Sequence, residues 1–121
     1  MTALGEMAGS GADGLTWVKA TDSAALPAGE MLAVSLNGLP LLLYRLSDGE
    51  VCCTSNICTH GDALLSGGWF EDDIIECPLH GGCFNVCTGK GQGAPIKEDI
   101  ATYPVREQDG TILIALAGAL S

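Results

Sequence analysis

Two short segments constrain this chain more than anything else in it: Cys58-Thr59-His60-Gly61 and Cys77-Pro78-Leu79-His80-Gly81. As a pattern they read C-x-H, sixteen residues, then C-x-x-H, and they contain both histidines of the 121-residue chain. Thiolate and imidazole are donors suited to zinc and iron. A mononuclear zinc site gathers four donors at one ion and commonly pairs Cys with Cys and His with His along the chain. Here each segment supplies one of each. In C-x-H the two side chains leave an extended backbone on the same side and can diverge to adjacent metals. Two such loops facing each other place both thiolates on one iron and both imidazoles on the other. Cys58, His60, Cys77 and His80 are therefore the candidate ligands of a two-iron cluster. The glycine after each histidine permits a sharp turn close to the metal. The plainer alternative is a structural zinc site, or buried thiols and imidazoles.

The rest of the chain reads as a small all-β frame around these loops. Apolar runs at Glu30–Leu36 and Leu39–Leu46 flank Asn37-Gly38, a strong hairpin signal because both positions tolerate positive φ. Asp48-Gly49 turns the chain into Val51–Thr54, so three strands form a meander. A first strand is expected at Leu15–Lys19, followed by a short helical turn at Asp22–Leu26. A last hairpin is expected at Thr102–Glu107 and Thr111–Leu116, around Asp109-Gly110. Between Ser55 and about Pro95 regular texture gives way to Gly-rich loops, with short strands at Asp73–Glu76 and Phe84–Val86. The expected plan is an antiparallel β-sandwich or barrel at 15–121, carrying a loop-rich cluster-binding subdomain at about 55–95. Residues 1–14, rich in Gly, Ala and Ser without periodicity, are expected to be a flexible tail.

Charge excludes some functions. Fifteen Asp and Glu against five Lys and Arg give a formal −10, which argues against nucleic acid and anionic membrane surfaces. The same excess reads either as plain solubility or as steering toward a partner with a positive patch. Met1–Gly14 lacks the basic start and apolar stretch of a signal peptide, so a cytoplasmic protein is expected. In that setting the six cysteines should be reduced, with Cys52, Cys53, Cys83 and Cys87 serving as ordinary packing residues and a redox or metal role as the alternative. Adjacent Cys52 and Cys53 on one strand point to opposite faces, so at most one of them should lie in the core. Trp69 and Phe70, between the ligand loops, are expected in core or loop packing, with contact to a partner as the alternative.

The chain resembles the Rieske-type [2Fe–2S] ferredoxins of bacterial aromatic-ring-hydroxylating dioxygenase systems. The naphthalene, nitroarene and salicylate or anthranilate oxygenase ferredoxins are the most similar group. The resemblance rests on Asn56–Gly61, Glu76–His80, Phe84–Lys90, Ala94-Pro95 and Thr102–Val105, and spans roughly Thr16 to Leu116. It implies one Rieske cluster held by Cys58 and Cys77 on one iron and His60 and His80 on the other. It also implies a soluble, monomeric one-electron carrier, not itself an enzyme. The carrier would link a flavin-dependent NAD(P)H ferredoxin reductase to a terminal Rieske oxygenase. The resemblance makes Ala94-Pro95 a third loop shielding the cluster. The alternative is the small Rieske-like subunit of an assimilatory nitrite reductase.

Departures from respiratory-chain Rieske proteins sharpen the subtype. Those carry an extra cysteine in each loop, joined as a disulfide, where this chain has Ala63 and Leu79. They also place a Ser and a Tyr, donors to sulfur, where this chain has Gly82 and Phe84. Fewer donors stabilise the reduced cluster less, which implies a potential near the low Rieske end, about −150 mV.

Overall fold

The computed structural model describes residues 15–58, 64–78, 82–92 and 99–117. The expectations for the 1–14 tail, the two histidines and Ala94-Pro95 lie outside them. Nine strands run in order: β1 (Leu15–Asp22), β2 (Met31–Leu36), β3 (Leu39–Arg45), β4 (Val51–Ser55), β5 (Trp69–Glu71), β6 (Ile74–Glu76), β7 (Cys83–Asn85), β8 (Val105–Gln108) and β9 (Thr111–Ala117). Short 3₁₀ turns sit at Ser23–Ala25 and Leu65–Gly67, and no α-helix occurs among the described residues. Accordingly, no helix there is long and apolar enough to cross a membrane.

The strands form three antiparallel sheets, β1-β9-β8, β2-β3-β4 and β5-β6-β7. The expected meander is the second. Its first hairpin turns at Asn37 (φ 54°) and Gly38 (φ 80°), and β8–β9 turns likewise at Asp109 (φ 55°) and Gly110 (φ 76°). Residues 101–103 then pair with the outer edge of β4, through Ser55 N to Ala101 O (3.0 Å) and Tyr103 N to Cys53 O (3.1 Å). That seam joins the first two sheets along one side, which makes the sandwich partly a barrel.

β3 explains the layering. An ordinary half-buried strand alternates, but Leu41, Leu42, Leu43 and Tyr44 are all buried, as in a strand covered on both faces. Leu41 and Leu43 join Ile112, Ile114 and Leu116 in a lower core against β9. Leu42 and Tyr44 join Ile75, Phe84 and Val86 in an upper core against β6 and β7. β4 does the same: Cys52 enters the upper core and Cys53 the lower. The expectation that at most one of these cysteines is buried is therefore corrected, because the central sheet has a core on each side. Cys52 is also not a free packing thiol. It forms a disulfide with Cys87, Cα–Cα 5.1 Å, which corrects the expectation of reduced thiols at both positions.

Trp69 and Phe70 divide. β5, which no longer sequence pattern announces, pairs with β6 and alternates its side chains. Phe70 packs on Tyr44 with ring centroids 5.1 Å apart, whereas Trp69 is exposed, contrary to the packing expected for it.

A candidate iron–sulfur centre at the ligand loops

Each candidate thiol opens a loop whose ends are fastened. After β4 the chain runs through Asn56 and Ile57 to Cys58, and an isolated bridge between Ile57 and Leu64 closes the loop base. Asn56, almost fully buried, holds both arms. Its carbonyl accepts from Leu65 N (2.8 Å), its Oδ1 from Ser66 N (2.8 Å), and its Nδ2 donates to Ser66 Oγ (3.2 Å). The second loop is the tip of the β6–β7 hairpin. Glu76 pairs with Cys83, and Cys77 N donates to Gly82 O at 2.6 Å, which holds the two ends of the intervening segment together.

The two loops are then packed against each other. Gly68 ends the return arm of the first loop, and a Cβ there would collide with the Glu76 carbonyl and lie 3.1 Å from Pro78 Cδ. Only glycine allows the arm to lie on the backbone that leads into Cys77. This contact and the Asn56–Ser66 bonds brace the loops without the inter-loop disulfide that Ala63 and Leu79 preclude.

Cys58 (2% exposed) and Cys77 (0%) both lie in the upper core, among Tyr44, Leu65, Ile75 and Phe84. The other two expected ligands, His60 and His80, lie outside the described residues. Two thiols brought into one dry cluster from two braced loops fit the thiolate half of a Cys₂His₂ [2Fe–2S] site. Such a group supplies a one-electron couple when bound.

The hydroxyl chemistry of this core is committed elsewhere. Thr54 donates to Ser55 O (2.8 Å), so the Tyr44 hydroxyl, 2.8 Å from Thr54 Oγ1, donates to Thr54. Burial pushes the Tyr44 phenol above its ordinary range, so it stays protonated. Phe84, fully buried beside the thiols, carries no hydroxyl at all. Burial also pushes the Cys53 thiol up to about 12, which leaves it inert in the lower core. Cys83 is raised too, by burial first and the Glu76 carboxylate second.

The large apolar side chains exposed among the described residues are Ile57, Leu64 and Trp69, and all three flank the ligand loops. Ile57 and Leu64 face each other across the first loop, and Trp69 pairs with Glu76 next to Cys77. Trp69 borders a groove of about 270 Å³ with Glu71, Asp72, Ile74 and Glu76. Asn56, Gly68 and the Cys52–Cys87 pair are contributions that sequence reasoning passed over. Asn56 and Gly68 offered only their position at the edges of the ligand motifs, and the disulfide offered no local signal.

Comparison with known proteins agrees with this construction. The profile of the Rieske [2Fe–2S] domain family matches residues 16–104. The ferredoxin component of the naphthalene 1,2-dioxygenase system of Pseudomonas putida is 43% identical over 101 residues, covering 84% of this chain and 96% of that one. The ferredoxin solved in complex with the oxygenase of carbazole 1,9a-dioxygenase superposes with a TM-score of 0.76 at 37% identity, over 84% of this chain and 93% of that one. A Mycobacterium tuberculosis protein assigned as the small subunit of an NADH-dependent nitrite reductase gives a TM-score of 0.76 but 25% identity, over 85% and 96%.

Proposed function

The chain belongs to the Rieske [2Fe–2S] domain family, with the ferredoxin components of dioxygenase systems as relatives, and we propose that it carries single electrons from a flavin-dependent NAD(P)H reductase to the Rieske centre of a terminal aromatic-ring-hydroxylating oxygenase. Cys58, His60, Cys77 and His80 are its cluster ligands in this reading, and it works as a soluble cytoplasmic shuttle. The observation that carries the reading is the pair of buried thiols, Cys58 and Cys77, in one core at the mouths of two loops that each contain a histidine. The nitrite reductase alternative shares the fold, but its similarity in sequence is far lower than that of the dioxygenase ferredoxins.

The residues of the chain have three tasks. Cys58 and Cys77 bring negative charge into a dry site, where it is tolerated only when paired with metal. Asn56, Gly68 and Pro78 fix the separation of the loops, so little rearrangement accompanies a change of charge. Ile57, Leu64 and Trp69 give a partner an apolar footing beside the loops, and the acids around Trp69 favour a partner with basic side chains.

Replacing Cys58 or Cys77 with Ser should abolish the visible absorption of the cluster and, with it, oxygenase turnover in a system rebuilt from reductase, carrier and oxygenase. Unchanged spectra in either variant would remove that residue from the ligand set. Co-purification with a sirohaem protein, and no support of oxygenase turnover, would favour the nitrite reductase reading.

A further inference from the structure

The structure adds a covalent feature outside the ligand loops. Cys52 lies on β4, in the central sheet, and Cys87 lies in the turn just after β7, so their bond ties the upper layer to the middle one. It closes a ring of 35 residues' separation, and Cys58, His60, Cys77 and His80 all fall inside that ring. The turn bearing Cys87 is also held by hydrogen bonds: Val86 N donates to Asp73 O (2.9 Å), Gly89 N to Asn85 O (2.8 Å), and Ile100 N to Gly89 O (2.8 Å). Asn85 Oδ1 accepts from Cys87 N (2.9 Å) and Thr88 N (3.0 Å), and Asn85 Nδ2 donates to Asp73 (3.1 Å), all within the upper layer. None of these bonds reaches β4 directly; the Gly89–Ile100 link meets it only through residues 101–103, which pair with β4, whereas the disulfide joins the two covalently.

The bond is also open to reagents. Cys87 is only half-buried, and both cysteines line a cavity of about 440 Å³ with Glu50, Tyr103 and Pro104. Glu50 brings a carboxylate oxygen within 4.8 Å of both sulfurs. A carboxylate there repels an incoming thiolate, which slows exchange without selecting either state of the pair. Cys53, one residue along β4, is 1% exposed and faces the opposite core, so it cannot serve as a competing partner.

We propose that Cys52 and Cys87 form a reversible thiol–disulfide site, whose oxidised state clamps the cluster-bearing layer to the central sheet and slows loss of the cluster. The exchange is with low-molecular-weight thiols and disulfides. Two thiols of the reagent reduce the protein disulfide, giving two protein thiols and one reagent disulfide, and the reverse reaction with an oxidised reagent restores the bond. The clamping part rests on the ligand reading proposed above; the thiol chemistry does not.

The test uses purified holoprotein, treated natively with either oxidised or reduced glutathione, then unfolded in acid and alkylated. After the oxidised reagent, mass spectrometry should count four alkylated cysteines and find a peptide linking Cys52 to Cys87. After the reduced reagent it should count six. Six in both samples, or four in both, would overturn reversibility. Bleaching in excess chelator should run at least about fivefold faster after native reduction. The Cys87→Ser variant should bleach at the same raised rate, with no further effect of glutathione. Equal rates in oxidised and reduced wild type would overturn the clamp without reference to whether the variant folds. A colourless preparation would contradict the proposed function while leaving the thiol count to decide the disulfide.

Discussion

The lower and upper cores share the central sheet but are built by different means. The lower core has long strands: β1 and β9 pair over seven positions, Leu15–Ala117 to Asp22–Thr111, with one irregularity between Lys19 and Thr21. Two of its hairpins reverse on two residues, Asn37-Gly38 and Asp109-Gly110, and its stability comes from aliphatic burial between two sheets. The upper core has strands of three residues each in β5, β6 and β7. Strands that short cannot hold a layer by themselves. Beyond its buried apolar cluster, the layer is secured by point attachments: the Asn56 bonds, the Gly68–Pro78 contact, the disulfide and the tilted Phe70–Tyr44 ring contact. The lower half is a pedestal held by periodic burial along long strands, and the upper half is a holder whose short strands and smaller layer lean on particular local contacts. A change in the holder should therefore affect the cluster far more than the fold, and a change in the pedestal the reverse.

Gly68→Ala strikes the holder at its tightest point. The added methyl meets the Glu76 carbonyl, which cannot retreat without moving the entry to Cys77. The expected outcome is a folded protein, destabilised by about 2–3 kcal/mol, with most of its visible absorption gone. Circular dichroism and cluster content measured on the same sample would check it. Full cluster content would show that the loops do not depend on this contact.

Glu107→Gln makes the opposite test. Arg45 ends β3 and donates to both Glu107 carboxylate oxygens (2.8 and 2.8 Å), to Leu26 O (2.9 Å) and to Gly49 O (3.0 Å). The Arg45 guanidinium pulls the Glu107 carboxyl down to about 2. A lowered carboxyl stabilises the fold above its ordinary range and ceases to do so as pH falls toward the folded value. Glu107 is partly exposed, so the variant should lose only about 0.5–1 kcal/mol at neutral pH, with normal cluster content. The gap between wild type and variant should narrow as pH drops from about 4.5 toward 2. Urea midpoints of the two proteins at matched pH would show it, and a gap that widens on acidification would reverse the assigned sign.

The two halves were also unequally legible in the sequence. Asn37-Gly38 and Asp109-Gly110 announced their hairpins because the required positive φ restricts the residues that can stand there. The ligand motifs were legible because metal chemistry restricts donor types and spacing even more. The run Leu41–Tyr44 carried the signal of a doubly covered strand, but a one-sided sheet was assumed, and one of Cys52 and Cys53 was wrongly placed outside the core. β5 was missed because three residues cannot display a period. The disulfide was missed for a different reason. It joins positions 35 residues apart, and such proximity is a product of the tertiary fold with no local trace.

The central claim is a donor-poor, two-thiolate, two-imidazole cluster, and its reduction potential tests that most directly. Holoprotein should be reddish-brown, bleach on uptake of one electron, and titrate near about −150 mV, with His60→Cys shifted lower if a cluster assembles. A wild-type potential near about −400 mV would contradict the two-imidazole assignment, and one above about +100 mV would contradict the account of the missing hydroxyl donors.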